Sequence, residues 1–530
     1  MMQQIITEQI GFRSNDKKTA VLRDKASANF AVKDAKSGKV VYTGTTSGPV
    51  KNEKAGELNY FADFSELKTS GTYVVTAEGM EDSYPFAIGD TVYDDVTHGM
   101  LRFFYLQRCG VALPEKYAGD FDHESCHDTP AYIYPTNESM DVRGGWHDAG
   151  DYGRYIVAAA VTAADLLMAY ENSPAVFGQA LNIPESQTAT PDLLDEVRFE
   201  LEWMLKMQNP ESGVVYHKVT CEGFPPLSAL PEEEREILVI SPPSITATAD
   251  FAAIMAMASR FYLEYDENFS KRCLRAAIKA YTAMKSMFLP GGFKNPKGIV
   301  TGEYGDPDDQ DEKYWAAAEL YKTTGEECYH DDLKELLKKG MMHGYGWKEV
   351  GSFGNQAYIT TTKYPTDEKL VGQIKESMLE YGRMILQRAS NDSYRFSLPE
   401  YEWGSNMYVA NNAYHLYDAY KITGEESFLD CAKEQLHYLF GKNANAICFV
   451  TGYGAVSPKY PHHRPSEAKQ KTMPGMLVGG PDEGYHDPSV TELVKDAPPA
   501  KVYIDDKESY STNEVTIYWN SAIILALSIL

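Results

Sequence analysis

Tyr321-Lys322-Thr323-Thr324-Gly325-Glu326-Glu327 returns later in the chain as Tyr420-Lys421-Ile422-Thr423-Gly424-Glu425-Glu426. In each copy a helical period runs into Thr-Gly, and acidic residues follow at once. Glycine takes the left-handed backbone that closes a helix, and carboxylates favour the positive N-terminal end of the next one. The heptapeptide is therefore a helix-to-helix corner used twice. Helical periodicity surrounds both copies, over 96–108, 158–170, 247–265, 271–288, 311–323, 331–342, 375–387, 410–421 and 426–439. Hairpins of helices repeated through most of the chain predict an α-toroid or a solenoid. Long loops rich in Gly, Pro and His, such as 451–512, suit a site built on one rim of it.

The first 90 residues read differently. Ala20-Val21-Leu22, Asn29-Phe30-Ala31-Val32, Lys39-Val40-Val41-Tyr42-Thr43 and Gly71-Thr72-Tyr73-Val74-Val75-Thr76-Ala77 are short runs rich in β-branched residues. Turns such as Ser37-Gly38 and Ser70-Gly71 separate them. They predict a small all-β sandwich of immunoglobulin-like type over 1–90, ahead of a helical domain over 91–530.

Composition narrows the function. The chain has 530 residues, with 50 Lys+Arg against 76 Asp+Glu and a net charge of −26, and no long basic run. Nucleic acid is excluded as a main partner, because phosphate contacts need clustered cations. No apolar stretch approaches the roughly 20 residues of a membrane helix, so no membrane partner is expected. Met1-Met2-Gln3-Gln4 has neither the basic nor the apolar region of a leader. The protein is expected in the cytoplasm, or outside the cell if a signal peptide preceded this start. Seven cysteines, an odd number, argue against a complete disulfide framework. Neither a nucleotide-binding glycine loop nor a flavin or nicotinamide fingerprint is found, and no organic cofactor is expected.

The chemistry concentrates in three segments. Gly144-Gly145-Trp146-His147-Asp148-Ala149-Gly150-Asp151-Tyr152-Gly153 places two carboxylates three residues apart among glycines that allow close backbone approach. Neighbouring carboxylates repel unless a water, a metal or a shared proton lies between them. Read alone, Asp151 is equally a helix cap. Glu514 follows Tyr503, Asp505, Tyr510 and Asn513, and it opens an apolar helix. In partly apolar surroundings such a carboxyl serves as a general acid, and its plainer role is to face the helix dipole. Between them Pro461-His462-His463-Arg464-Pro465 is a compact donor cluster able to grip hydroxyls, or simply a charged surface loop.

Together the three segments resemble the family 9 glycoside hydrolases, cellulase-type enzymes. The Gly144–Asp151 run matches that family's first carboxylate motif. Tyr503, Asp505, Tyr510, Glu514, Thr516 and Asn520-Ser521 match its C-terminal signature, and His462 and Arg464, preceded by Thr451-Gly452-Tyr453-Gly454, match a third. One departure is Val456, where the family usually has Asn, Lys or Arg. The resemblance covers about 93 to 530, and the sandwich resembles the N-terminal module of one subgroup. It implies a mainly α fold, an (α/α)6 barrel behind the sandwich. It also implies inverting hydrolysis of β-1,4-glucosidic bonds, with Asp151 as general base, Asp148 orienting the water and Glu514 as general acid. His462 and Arg464 would hydrogen-bond the sugar, and His217, in a stretch resembling a cleft-lining strand and loop, is a further candidate contact. Tyr304 and Trp403 could offer stacking faces, although lone aromatics more often belong to the core.

Cys109, Cys126, His127 and His147 have zinc-ligand chemistry. Taken as residues alone they leave open a disulfide between Cys109 and Cys126, or buried thiols. The resembling subgroup carries a structural zinc on matching positions, and four protein ligands would leave no open site for water. In the acidic run Asp306–Glu312, Asp308, Asp311 and Glu312 are the candidate calcium ligands. The expected substrate is a β-glucan oligo- or polysaccharide, acted on by a monomer. The expected activity is endo-β-1,4-glucanase, or alternatively an exo-acting β-glucosidase or glucosaminidase on short oligosaccharides. A non-catalytic carbohydrate-binding protein would have lost an acid–base residue, yet all three carboxylates are present.

Overall fold

The computed structural model describes residues 3–287 and 292–530. Its N-terminal part holds eight strands: β1 (Ile5–Ile6), β2 (Gly11–Phe12), β3 (Thr19–Arg23), β4 (Asn29–Asp34), β5 (Val40–Asn52), β6 (Glu57–Asp63), β7 (Gly71–Ala77) and β8 (Phe86–Ile88). They are hydrogen-bonded in the order β1-β3-β6-β5-β4-β7-β8-β2. The long β5 serves two partners. Its first part pairs with β4 and its second with β6, with a register shift between Ser47 and Val50. A bulge bends a strand, so one ladder turns into two facing layers. Phe12, Leu22, Phe30, Val32, Phe64, Val75 and Phe86, drawn from both layers, share a single core. The predicted sandwich is present.

Among the described residues, twelve helices of nine residues or more follow in six pairs: α1 (Asp94–Leu106), α2 (Ile156–Asn172), α3 (Asp192–Lys206), α4 (Ile245–Phe261), α5 (Glu267–Ser286), α6 (Gln310–Thr324), α7 (Glu327–Leu337), α8 (Gly351–Ile359), α9 (Glu368–Asn391), α10 (Ser405–Thr423), α11 (Glu426–Leu439) and α12 (Ile517–Leu527). The even-numbered helices are buried on nearly every side, and every residue of α12 is buried. Odd-numbered helices such as α5 and α9 bury one stripe only. A helix apolar all round must be interior, and an amphipathic one lies outside it. Around the inner ring, α2 packs on α4, α4 on α6, α6 on α8, α10 on α12 and α12 on α2. The Gln356 amide donates to Asp418 at 2.5 Å and joins α8 to α10. The (α/α)6 barrel is thereby closed.

Both copies of the heptapeptide are corners from an inner to an outer helix. Gly325 and Gly424 each take φ of 73°, and their N–H groups return to the carbonyls of Tyr321 and Tyr420 at 2.8 and 2.7 Å. Two helices went unread in the sequence. In α3 charged residues mask the apolar stripe, and α8 is short and carries Gly351 and Gly354. Phe288, the end predicted for the 271–288 helix, lies outside the described residues. One rim of the barrel carries a small sheet, β9 (Ala131–Ile133), β10 (Ser139–Met140), β11 (Arg154–Tyr155), β12 (Lys218–Thr220) and β13 (Val239–Ile240), in the order β10-β9-β13-β12-β11. β11 runs directly into α2, so the segment before it is fixed at that rim.

Candidate active site

The 144–155 segment is held from below by α3. Glu196 accepts the Trp146 indole N–H at 2.9 Å, and Glu200 accepts the Trp146 backbone N–H at 2.5 Å. Arg154 donates to the carbonyls of Val142 and Gly144 at 2.6 and 2.8 Å. Gly150 then meets the second segment. A Cβ there would lie 2.1 Å from the carbonyl oxygen of His462, so only glycine fits. The Gly150 carbonyl accepts both the backbone N–H of Arg464 at 3.1 Å and its guanidinium at 2.8 Å. The third segment joins through backbone as well: Ile517 N–H donates to the Asp148 carbonyl at 2.7 Å, and His462 N–H to that of Asn513 at 2.9 Å. Thr516, whose hydroxyl accepts Trp519 N–H, caps α12. Glu514 therefore stands before the cap and does not open the helix as predicted. Asp151 likewise caps nothing; its carboxylate accepts Gly153 N–H at 3.1 Å, and α2 begins only at Ile156.

Asp148, Asp151 and Glu514 line one cleft of about 450 Å³. Burial lifts the Asp148 carboxyl well above its usual range, against a hydrogen bond from Tyr304. That phenol donates to Oδ2 at 2.5 Å, while Oδ1 is buried with no partner among the described residues. Burial also raises Asp151, but the Arg464 guanidinium and the Gly153 N–H oppose it. Glu514 is raised well above the carboxylate range by burial, reinforced by the negative charge of Asp151. Divergent environments of this kind separate a group kept protonated from one that ionises.

The walls of the cleft include Phe224, Tyr304, Trp347, Trp403, Tyr408 and Tyr518. Aromatic faces of this number suit the apolar faces of sugar rings. Trp347, Tyr408 and Tyr518 are not singled out by sequence, since a single aromatic in a helical or loop context carries no mark of exposure. His217 needs correction. Its Nδ1 pairs with the Ser244 hydroxyl at 2.8 Å and its Nε2 with the Glu303 carbonyl at 3.0 Å, and Phe293 stacks on the ring. With both nitrogens occupied and no exposed surface, His217 is a brace behind the cleft, holding the loop that carries Tyr304. His462 uses Nδ1 on the Lys507 carbonyl at 2.6 Å, and burial lowers its pKa to about 4. Arg464 lies over Phe224 at 5.7 Å and donates to Pro225.

The four predicted thiol and imidazole residues are brought together. Cys109, Cys126, His127 and His147 are all buried, and one ligand atom from each lies within 4.8 Å of every other. Cys126 Sγ is 3.8 Å from His147 Nε2. Tetrahedral zinc with bonds of roughly 2.0–2.3 Å calls for edges of about 3.4–3.8 Å, so the set fits such an ion. Both cysteines are free thiols, which removes the disulfide reading. The acidic run is only partly as predicted. Asp311 and Glu312 are buried and share their surroundings with Asp250 and Asp306. Among the described residues, both oxygens of Glu312 and of Asp250, and one of Asp306, have no hydrogen-bond partner. Asp308 instead faces solvent, because its backbone N–H is folded back onto Asp306 Oδ1 at 2.9 Å, and its carboxylate accepts the Gln310 backbone N–H at 3.2 Å. No helix among the described residues is long and apolar enough to cross a membrane.

Comparison with known proteins is consistent with this geometry. The family model described as "Glycosyl hydrolase family 9" matches residues 93–527, and that of a "Cellulase N-terminal ig-like domain" matches residues 2–82. A cellodextrinase of Butyrivibrio fibrisolvens is 34% identical, with 99% of each chain covered. A thermostable endoglucanase from Alicyclobacillus acidocaldarius superposes with a TM-score of 0.94 at 35% identity over 99% of each chain. A Zn-binding triple mutant of the endoglucanase J30 gives 0.92 at 33% identity, covering 97% of this chain and 99% of that one.

Proposed function

The chain belongs to glycosyl hydrolase family 9, and from that premise we propose that it hydrolyses β-1,4-glucans by internal cleavage with inversion, using Asp151 and Glu514 as base and acid. The observation that carries this is the gathering of three buried carboxylates with unequal environments in one aromatic-walled cleft. Glu514, held protonated, gives its proton to the glycosidic oxygen as the bond from C1 to the leaving sugar breaks. Asp151, kept more acidic by Arg464, takes a proton from the water whose oxygen attacks C1 on the opposite face. Asp148 is tethered through Oδ2 to Tyr304, and its free Oδ1 is the acceptor that orients that water. Attack opposite the leaving group inverts the anomeric centre. His462 and Arg464 flank the reacting carboxylates and serve as donors to sugar hydroxyls.

Zinc is the reading that the Cys109, Cys126, His127 and His147 set supports. With four protein ligands it would supply structural bracing and no open coordination position. Its role would be to fix His147, next to Asp148 in sequence. Asp311 and Glu312, with Asp250 and Asp306 nearby, are the calcium candidates, but among the described residues only the Cys and His set gathers its ligand atoms within 4.8 Å.

The test is the time course of products from cellohexaose, with Glu514→Gln as the control for contaminating activity. Early cellobiose, cellotriose and cellotetraose together support internal cleavage. Cellopentaose and glucose appearing first would replace it with exo action on short cellodextrins, the reading that a cellodextrinase relative favours.

A further inference from the structure

Beyond the four candidate ligands, one carboxylate reaches the cluster. Glu234 Oε2 lies 2.8 Å from His127 Nε2, with the imidazole 1% and the carboxylate 5% exposed. An ionised carboxylate can only accept, so the Nε2 position carries the hydrogen. The other nitrogen, Nδ1, is buried and has no partner among the described residues. His127 is thus presented with its lone pair on Nδ1, turned away from Glu234. The same stretch of chain makes two further contacts. Ala229 accepts the Tyr152 hydroxyl at 2.6 Å, and Tyr152 packs against His147 with ring centres 4.9 Å apart. Pro225 accepts from Arg464 at 2.9 Å, and its neighbour Phe224 lines the cleft. One segment, 224–234, therefore runs from the cleft wall, past the residue next to Asp151, to the rear of His127.

We propose that Glu234 is the outer-sphere positioning residue of the metal centre: it fixes His127 as an Nδ1 ligand, and through that hydrogen bond the bound cation anchors the far end of the 224–234 segment. The inference rests on the reading that the Cys109, Cys126, His127 and His147 set holds a divalent, thiophilic cation. Carboxylates behind metal-bound imidazoles fix the ring's tautomer and orientation and strengthen the ligand, and their loss weakens affinity by about 10–100-fold.

The test uses the full chain and zinc itself. Wild-type protein, Glu234→Gln and Glu234→Ala are titrated against a chromophoric chelator, and ¹⁵N NMR of the zinc-loaded wild type reports which nitrogen of His127 bears the metal. Expected are one tightly held zinc in the wild type at this set, a 10–100-fold weaker affinity in Glu234→Ala, and a smaller loss in Glu234→Gln, whose amide oxygen still accepts from Nε2. A metal-shifted Nδ1 and a protonated Nε2 are expected in the spectrum. Should Glu234→Ala not fold, Glu234→Gln and the wild-type spectrum decide. Wild-type zinc binding with unchanged affinity in the variants, or metal on Nε2, overturns the role of Glu234. A wild type that binds no zinc at this set overturns the metal reading, and the inference with it.

Discussion

The phenol of Tyr304 donates to Oδ2 of Asp148 at 2.5 Å and leaves Oδ1 of that carboxylate buried and unpartnered among the described residues. Tyr304 reaches this position with a φ of +47°, a backbone state uncommon for a non-glycine residue. Hydrogen bonds on the Thr301–Glu303 carbonyls, from Lys218, Asn295 and His217, hold the loop that imposes it. Local strain kept in place by so many contacts belongs to a working site. A hydrogen bond to a charged group is worth about 1.5–3 kcal/mol, or roughly 10–100-fold in rate if it is needed in the transition state. Tyr304→Phe is therefore expected to lower kcat by that factor with little change in KM. Steady-state kinetics on a soluble β-glucan checks it, and an unchanged kcat would refute the tether.

Removing either acid–base partner has a larger effect. Glu514→Gln and Asp151→Asn are each expected to lower kcat by at least ~10²-fold while leaving the fold intact. Circular dichroism and single-turnover rates on cellohexaose separate lost chemistry from lost structure.

The pH profile follows from the directions of the shifts. Asp151 must be ionised, so activity falls as pH drops through its raised pKa. Glu514 must be protonated, so activity falls as pH rises through a pKa lifted further. Arg464 lowers both groups. Arg464→Gln is thus expected to move both limbs of the kcat/KM profile to higher pH. A profile that keeps its position as its height falls would assign Arg464 to sugar binding alone.

Gly150 sets how closely the base and His462 segments approach. A Cβ 2.1 Å from a carbonyl oxygen cannot be housed without moving backbone. Overpacking commonly costs about 1–3 kcal/mol. Gly150→Ala is expected to lose stability of that order and most of its activity, measured by denaturant midpoint and rate. Wild-type activity in that variant would show the two segments free to separate.

These relationships were unequally legible in the sequence. Corner glycines such as Gly325 and Gly424 announce themselves, because left-handed backbone and a following acidic turn leave a local mark. The Asp148–Asp151 pair also showed locally, through its glycines. What escaped depends on tertiary direction. His217 and Trp403 each sit in plausible company, yet the histidine faces inward to Ser244 and Glu303 while the tryptophan lines the cleft. Glu196 and Glu200 carry no local mark of their role, and their burial against Trp146 is visible only in three dimensions. Asp250 lies in an apolar inner helix far in sequence from Asp311 and Glu312, so the acidic pocket could be only half read.

Chelation addresses the metal. If the Cys and His cluster holds zinc structurally, its removal is expected to lower the Tm while the still-folded fraction keeps its turnover. Turnover lost with the fold intact would instead give the metal a direct part in the reaction.

The most direct test of the central claim is the anomeric form of the first product. Fresh ¹H NMR spectra during hydrolysis of cellohexaose, recorded before mutarotation, should show the α-anomer at the new reducing end first, as inversion at a β-linkage requires. Initial appearance of the β-anomer would mean retention, and with it a covalent intermediate that a base–acid pair of Asp151 and Glu514 does not form.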